Sequence, residues 1–180
     1  MKIKNLTAGK NPPKQMNAII EVTEGGTVKY EIDKETGLLK VDRILHTPVA
    51  FPAAYGYFPA TLGDDGDPLD CIVVSSAPMR PGVLVEVRPI GVLLMEDQAG
   101  QDEKIVCVPL DKIDPFHTNT HHIDDVPMSL REKIKYFFEH YKDLEPNSWS
   151  KIQGWGDRAT ADKIIIEAID RYWERKKAEG

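Results

Sequence analysis

Four aspartates fall within seven residues, Asp64, Asp65, Asp67 and Asp70, and no Lys or Arg lies between Arg43 and Arg80 to neutralise them. Pro68 stiffens the run, because its ring fixes its own φ and biases Asp67 toward extended backbone. Leu69 and the apolar run Cys71-Ile72-Val73-Val74 put Asp70 at the mouth of a buried strand. Carboxylates there repel one another far more strongly than the ~1 kcal/mol of two charges about 4 Å apart in water, and a bound cation relieves that repulsion. A solvated acidic loop has no such apolar neighbour. A calcium loop starting at Asp65 would require an oxygen ligand at Leu69, glycine at Asp70 and an acid at Ser76, and all three requirements fail. Oxygen donors without His or Cys point to Mg²⁺ or Mn²⁺ rather than zinc.

A second acidic pair lies further along. A tight turn centred on Ala99-Gly100 is expected to pair Asp97 with Asp102 across a hairpin. Directly opposed residues have Cβ atoms roughly 4.5–5.5 Å apart, and like charges there are destabilising. Beside the first cluster, this pair points to a shared polynuclear metal site. Lys29, Arg43, Lys104 and Lys142 are each an ordinary surface charge when taken singly. Together with the carboxylates they describe a site that grips a highly charged anion, with metals on one side and ammonium or guanidinium groups on the other. Polyphosphate is the matching substrate class, since phosphoryl transfer rests on positioning and charge neutralisation. No Walker loop or Gly-rich dinucleotide loop is present to recognise a nucleoside.

The elements that must position these groups are mostly strands. Ala18 to Val22 is a short apolar strand. Val28 to Asp33 alternates with period two, placing Val28, Tyr30 and Ile32 on one face and Lys29, Glu31 and Asp33 on the other. Lys34-Glu35-Thr36-Gly37 turns the chain into a returning strand from Leu38 to Arg43. Further strands are expected over Leu69 to Val74, Val83 to Met95 and Lys104 to Leu110. Many short strands with turns between them suggest a barrel or strongly curved sheet. The last third is helical. Ser129 and Glu132 have capping-box spacing, and Leu130, Ile134, Phe137, Phe138 and Tyr141 form an apolar stripe. A terminal helix carries Ile165, Ala168, Ile169 and Tyr172, and both stripes should pack against the sheet. A loop from Pro146 to Asp157 is expected between the helices.

A chain of 180 residues without repeats or linker-like stretches reads as one domain, 1–180. The amino-terminal Met1-Lys2-Ile3-Lys4-Asn5-Leu6 has no apolar signal core, and no apolar run approaches the ~18 residues of a membrane helix. Cys71 and Cys107 sit inside apolar runs as small buried hydrophobes. A cytoplasmic protein is expected. The net charge of −6 argues against nucleic acid or an anionic membrane as partner. Thr120-His121-His122 with His117 matches no zinc spacing and reads as a polar loop. Trp149, Trp155 and Trp173 read as core or interface residues.

Asp65-Gly66-Asp67-Pro68-Leu69-Asp70-Cys71 resembles, at every position, the signature of the soluble family I inorganic pyrophosphatases of bacterial type. The resemblance extends to Lys29-Tyr30-Glu31, Val41-Asp42-Arg43, Tyr55-Gly56-Tyr57 and Phe137 to Asp143. It implies a mainly β fold with α: a five-stranded OB-like barrel with two carboxy-terminal helices packed outside. It also implies three or four Mg²⁺ per site and hydrolysis of pyrophosphate to two phosphates. By resemblance, Asp65, Asp70 and Asp102 hold the first metal and Asp70 helps hold the second. Asp97 and Asp102 serve a further metal that arrives with substrate, and Glu31 contacts another. Glu21 is an outer-shell residue acting through water, and Asp67 is the general base for the attacking water. Lys29, Arg43, Tyr55, Lys104, Tyr141 and Lys142 bind phosphate oxygens. A homo-hexamer is implied, with His140 at a subunit contact.

Phe51 and Ala54 depart from the Tyr and Asn that bacterial members often carry, which removes a hydroxyl at position 51. Asp64 has no assigned role. Two other readings of the same residues are a metal-dependent phosphoesterase or nuclease, and a non-enzymatic OB-like binding module. Relative turnover of pyrophosphate and phosphate esters separates the first from the pyrophosphatase reading. The second would need a basic groove lined with stacking aromatics.

Overall fold

Apolar side chains that enter two cores line five strands, which close into a ring. The computed structural model describes residues 6–33 and 35–179. Expectations for the first five residues and for Lys34 in the turn lie outside the described residues. In chain order the strands are β1 (Met16–Val22), β2 (Val28–Ile32), β3 (Leu39–Ile44), β4 (Ala54–Tyr57), β5 (Asp70–Val73), β6 (Leu84–Asp97), β7 (Gly100–Gln101), β8 (Lys104–Pro109) and β9 (Ser150–Gly156). Helix α1 spans Met128–His140 and α2 spans Arg158–Glu179. The ring runs β1-β4-β5-β8-β6, and β6 pairs back onto β1. The five-stranded sheet with two outer helices expected above is therefore what the chain forms. Within the ring β5 and β8 are parallel, and the other pairs are antiparallel. β2 and β3 form a separate two-stranded sheet.

Successive residues of the central strands enter different cores. Ile72, Val74, Val106 and Val108 join a cluster with Tyr55, Phe137 and Phe138, the last two from α1. Cys71, Val73, Ile105 and Cys107 join a second cluster with Ala161, Ile165 and Ala168 of α2. Strands buried on both faces must be apolar at every position, which is why these runs are continuous rather than alternating. Both cysteines are buried and free, and Cys107 Sγ donates to the Ile72 carbonyl at 3.4 Å. Gly56 lets β1 lie against β4, since a Cβ there would stand 1.8 Å from the Ile19 carbonyl oxygen. That close approach sets Tyr55, its neighbour, into the first core.

Three expectations are corrected, and one strand the sequence pattern does not mark is added. β4 carries too few apolar side chains to stand out by periodicity, yet it is a ring strand. The segment expected to be a loop before α2 contains β9, which pairs along β6 from Val92↔Gly156 to Asp97↔Ser150; its Gly and Trp residues obscure the pattern. Helix α1 begins at Met128 with Pro127 at its cap and no side-chain cap bond, because proline carries no side-chain acceptor; the Pro127 carbonyl accepts from the Leu130 and Arg131 amides. Ser129 therefore lies inside the first turn. The hairpin after β6 turns at Gln98-Ala99, so Asp97 faces Gly100 and not Asp102. Asp97 Oδ1 accepts from the Ala99 amide at 2.7 Å, and Gly100 takes φ +124° to start the return. The Asp102 amide reaches back to the Met95 carbonyl at 3.0 Å.

Candidate metal and anion site

The parallel register Cys71↔Ile105 brings the first residues of β5 and β8, Asp70 and Lys104, side by side at one rim of the ring. β6 runs antiparallel to β8 and ends at that rim with Asp97. Lys104 is 2% exposed. Its Nζ lies 2.6 Å from Asp70 Oδ2 and forms a second ion pair with Asp102 Oδ1. Tyr55 Oη donates to the same Asp70 oxygen at 2.5 Å, and the ammonium stands 5.9 Å from the Tyr55 ring centroid. Burial opposes the charge on Lys104, but Asp70 and Asp102 outweigh it and hold its pKa above the usual lysine range. Lys104, an ordinary surface charge in the sequence only when taken singly, is a buried ion-pair centre.

A second cation closes the far side. Lys142 Nζ donates to Asp97 Oδ2 at 2.6 Å and lies 5.3 Å from the Tyr141 ring centroid. Burial pushes the Asp97 pKa up, but the bonds from Lys142 and the Ala99 amide bring it below the ordinary value. For Asp102, burial and the charges of Asp70 and Asp97 win over Lys104, and the pKa is raised. Burial also raises Tyr141, which feels the charges of Lys104, Lys142 and Asp102.

Asp65, Asp70 and Asp102 line one small depression, together with Asp64 and Arg171. The loop is braced internally, with the Asp67 amide donating to Asp65 Oδ1 at 3.0 Å. Burial, then repulsion from Asp67 and Asp70, raises the Asp65 pKa. Helix α2 docks the loop: the Leu62 amide donates to the Ala168 carbonyl, and Arg171 Nε donates to the Leu62 carbonyl, both at 2.9 Å. Arg171 Nη1 also stands 3.4 Å from Asp64 Oδ1. The unassigned Asp64 thus has a partner from the far end of the chain.

The hairpin of β2 and β3 supplies the remaining groups. Lys29 faces Arg43 in register. Lys29 Nζ lies 2.7 Å from Glu31 and 3.6 Å from Asp42, and Arg43 Nε lies 2.7 Å from Asp42. Arg43 Nη1 is also paired with Glu145 Oε2. Sequence reasoning assigned no role to Asp42, Glu145 or Arg171, and for the latter two no local pattern marks them. Phe51 is a core ring, 4.5 Å from Phe137 and 5.3 Å from Tyr55 between centroids, so aromatic packing stands where a hydroxyl is missing. His140 lies on α1, its ring tilted against Tyr136 with centroids 4.3 Å apart and bonded to Asp143 at 2.7 Å.

Glu21 joins the hairpin to the ring. Its Oε1 accepts from the Ile32 amide at 2.9 Å. Burial, with repulsion from Asp70 and Glu31, raises its pKa from 4.5 to about 8 against the opposing Ile32 bond and Lys29. A carboxyl with a folded pKa above its unfolded value contributes stability that is complete below about 4.5 and lost as pH rises through about 8. Glu21→Gln should therefore flatten the pH dependence of stability across that window. Urea unfolding at both ends of the window checks this, and an unchanged slope would contradict it.

Among the described residues no three His, Cys, Asp or Glu side chains converge on one metal position. Asp70 and Asp102 converge instead on the Lys104 ammonium. The donor chemistry nevertheless fits a hard cation: Asp65, Asp70 and Asp102 share one depression, all donors are carboxylates, and burial with mutual repulsion raises two of them. Their arrangement around a buried cation also leaves charge to be neutralised.

Fold and site together define a closed five-strand ring with a carboxylate and cation cluster at one rim. Known proteins share this fold across nearly the whole chain. The sequence profile of the family described as inorganic pyrophosphatase matches residues 18–173. The chain is 52% identical over 169 residues to the inorganic pyrophosphatase of Gluconobacter oxydans, covering 94% of this chain and 98% of that protein. Its structure is similar to that of an inorganic pyrophosphatase from Thermus thermophilus, with TM-score 0.91, 41% identity and coverage of 96% and 99% of the two chains. A Coxiella burnetii inorganic pyrophosphatase gives TM-score 0.90 at 44% identity, covering 93% and 99%. The chain belongs to the inorganic pyrophosphatase family. Among the described residues no helix is long and apolar enough to cross a membrane.

Proposed function

We propose that this chain hydrolyses inorganic pyrophosphate to two phosphates in a Mg²⁺-dependent reaction, with three or four ions per site, as a single domain over residues 1–180. The observation that carries the reading is the interleaving of acids and cations at one rim: Asp70, Lys104 and Asp102 in one group and Asp97 with Lys142 in the other. Neither an all-acidic nor an all-basic cluster suits a metal-loaded polyanion. Asp65, Asp70, Asp97, Asp102 and Glu31 would hold the ions, and Glu21 would act one layer out. Bound divalent ions supply charge neutralisation and lower the pKa of water.

The chain's own groups do the rest. Asp67 takes the proton of the water that attacks phosphorus. The bridging P–O bond breaks, and the leaving phosphate carries away the electron pair. Lys29, Arg43, Tyr55, Lys104, Tyr141 and Lys142 bind phosphate oxygens and stabilise the charge that develops there. A homo-hexamer in the cytoplasm, with pyrophosphate and phosphate as partners and neither nucleic acid nor membrane, completes the proposal. The net charge of −6 supports the last part. Phosphate release from pyrophosphate, measured beside nucleotides and phosphate monoesters, tests the reading. Fast turnover of pyrophosphate alone is expected, and comparable turnover of the esters would overturn it.

A further inference from the structure

The anion side of the site is assembled from two separate elements. Lys29 and Arg43 lie on β2 and β3, a two-stranded sheet outside the ring. Tyr141 and Lys142 follow α1. Glu145 joins the two. Its amide donates to the Lys142 carbonyl at 2.9 Å, which fixes it one turn beyond that lysine. Its Oε2 accepts from Arg43 Nη1, across 102 residues of sequence. A second tie among the described residues, Thr47 Oγ1 to the Tyr141 carbonyl, is 3.4 Å long.

The Glu145 carboxylate is held at a cost. The residue is 9% exposed, and its Oε1 is buried with no hydrogen-bond partner among the described residues. Burying such an oxygen forfeits solvation. What it does achieve is geometric. Asp42 holds the Nε edge of Arg43 and Glu145 holds Nη1, so the planar fork is clamped from two sides. A guanidinium has five N–H donors, and two committed to carboxylates leave others to meet a phosphate.

We infer that Glu145 is a positioning residue for the anion site, holding the Arg43 guanidinium at a set place relative to Lys142 so that both cations meet one phosphate chain. The inference rests on the pyrophosphatase reading. Steady-state kinetics on pyrophosphate, calorimetric binding of inorganic phosphate and thermal melting are to be measured for wild type, Glu145→Ala, Glu145→Gln, Arg43→Ala and the double variants. Glu145→Ala should raise KM and weaken phosphate binding by about tenfold, with a smaller fall in kcat. Glu145→Gln keeps an acceptor for Nη1 and should recover most of the loss. In the Arg43→Ala background, Glu145→Ala should add less than about twofold, because its partner is already gone.

An unchanged KM, or the same penalty in both backgrounds, overturns the inference. A lowered melting temperature with unchanged KM and phosphate affinity overturns it too, since the role would be structural only. Should Glu145→Ala not fold, the isosteric Glu145→Gln carries the test, with a KM rise of about two- to threefold that vanishes in the Arg43→Ala background. If wild type releases no phosphate from pyrophosphate, the functional reading itself has failed, and phosphate calorimetry still reports on Glu145.

Discussion

Replacing Asp67 by Asn should slow phosphate release from pyrophosphate by about 10²- to 10⁴-fold while leaving divalent-ion binding nearly intact. Asn keeps the size and polarity of the side chain but cannot take a proton from water at neutral pH. The bond that braces the loop should survive, because the Asp67 backbone amide, which the substitution keeps, donates to Asp65 Oδ1. Asp65, Asp70 and Asp102, which line the depression, are untouched. Turnover and Mn²⁺ binding by electron paramagnetic resonance, measured on the same preparation, separate the two effects. Full turnover in the variant would remove Asp67 from the role of base. Lost metal binding would make it a ligand instead.

Lys104→Met should cost about 3–5 kcal/mol of folding stability, because it breaks a buried ion-pair centre from one side. The lysine is 2% exposed and joins Asp70 to Asp102. Methionine fills most of the space but leaves two carboxylates facing each other, with only the Tyr55 hydroxyl left on Asp70 among the contacts described. Burial already raises the Asp102 pKa, with Asp70 adding to it. Losing the ammonium should raise it further. Divalent cations should then restore more stability to the variant than to wild type, since they relieve the same repulsion. Urea unfolding with and without Mg²⁺ measures both terms. Unaltered stability, or no extra response to Mg²⁺, would contradict the arrangement described for this rim.

Much of this was legible in the sequence because it depends on local pattern. Continuous apolar runs beside Asp70 and Lys104 marked strands buried on both faces, and their first residues do stand together at the rim. The period-two alternation of Val28 to Asp33 placed Lys29 and Glu31 on one face, and they are paired there. What escaped depends on contacts distant in sequence. β9 is a strand because β6 offers it an edge, and its own residues are half-exposed. Glu145 and Arg171 meet Arg43 and Leu62 across 102 and 109 residues, where no spacing rule applies. The pairing of Asp97 with Asp102 failed by a small shift: Asp97 caps its own turn through the Ala99 amide, which moves the register.

Phosphate release from pyrophosphate, followed with Mg²⁺ present and again after a chelator is added, tests the metal-centred account most directly. Rapid hydrolysis that stops on chelation and returns with excess Mg²⁺ is the result expected from the carboxylates of Asp65, Asp70, Asp97 and Asp102. Hydrolysis that continues undiminished in the chelator would contradict it.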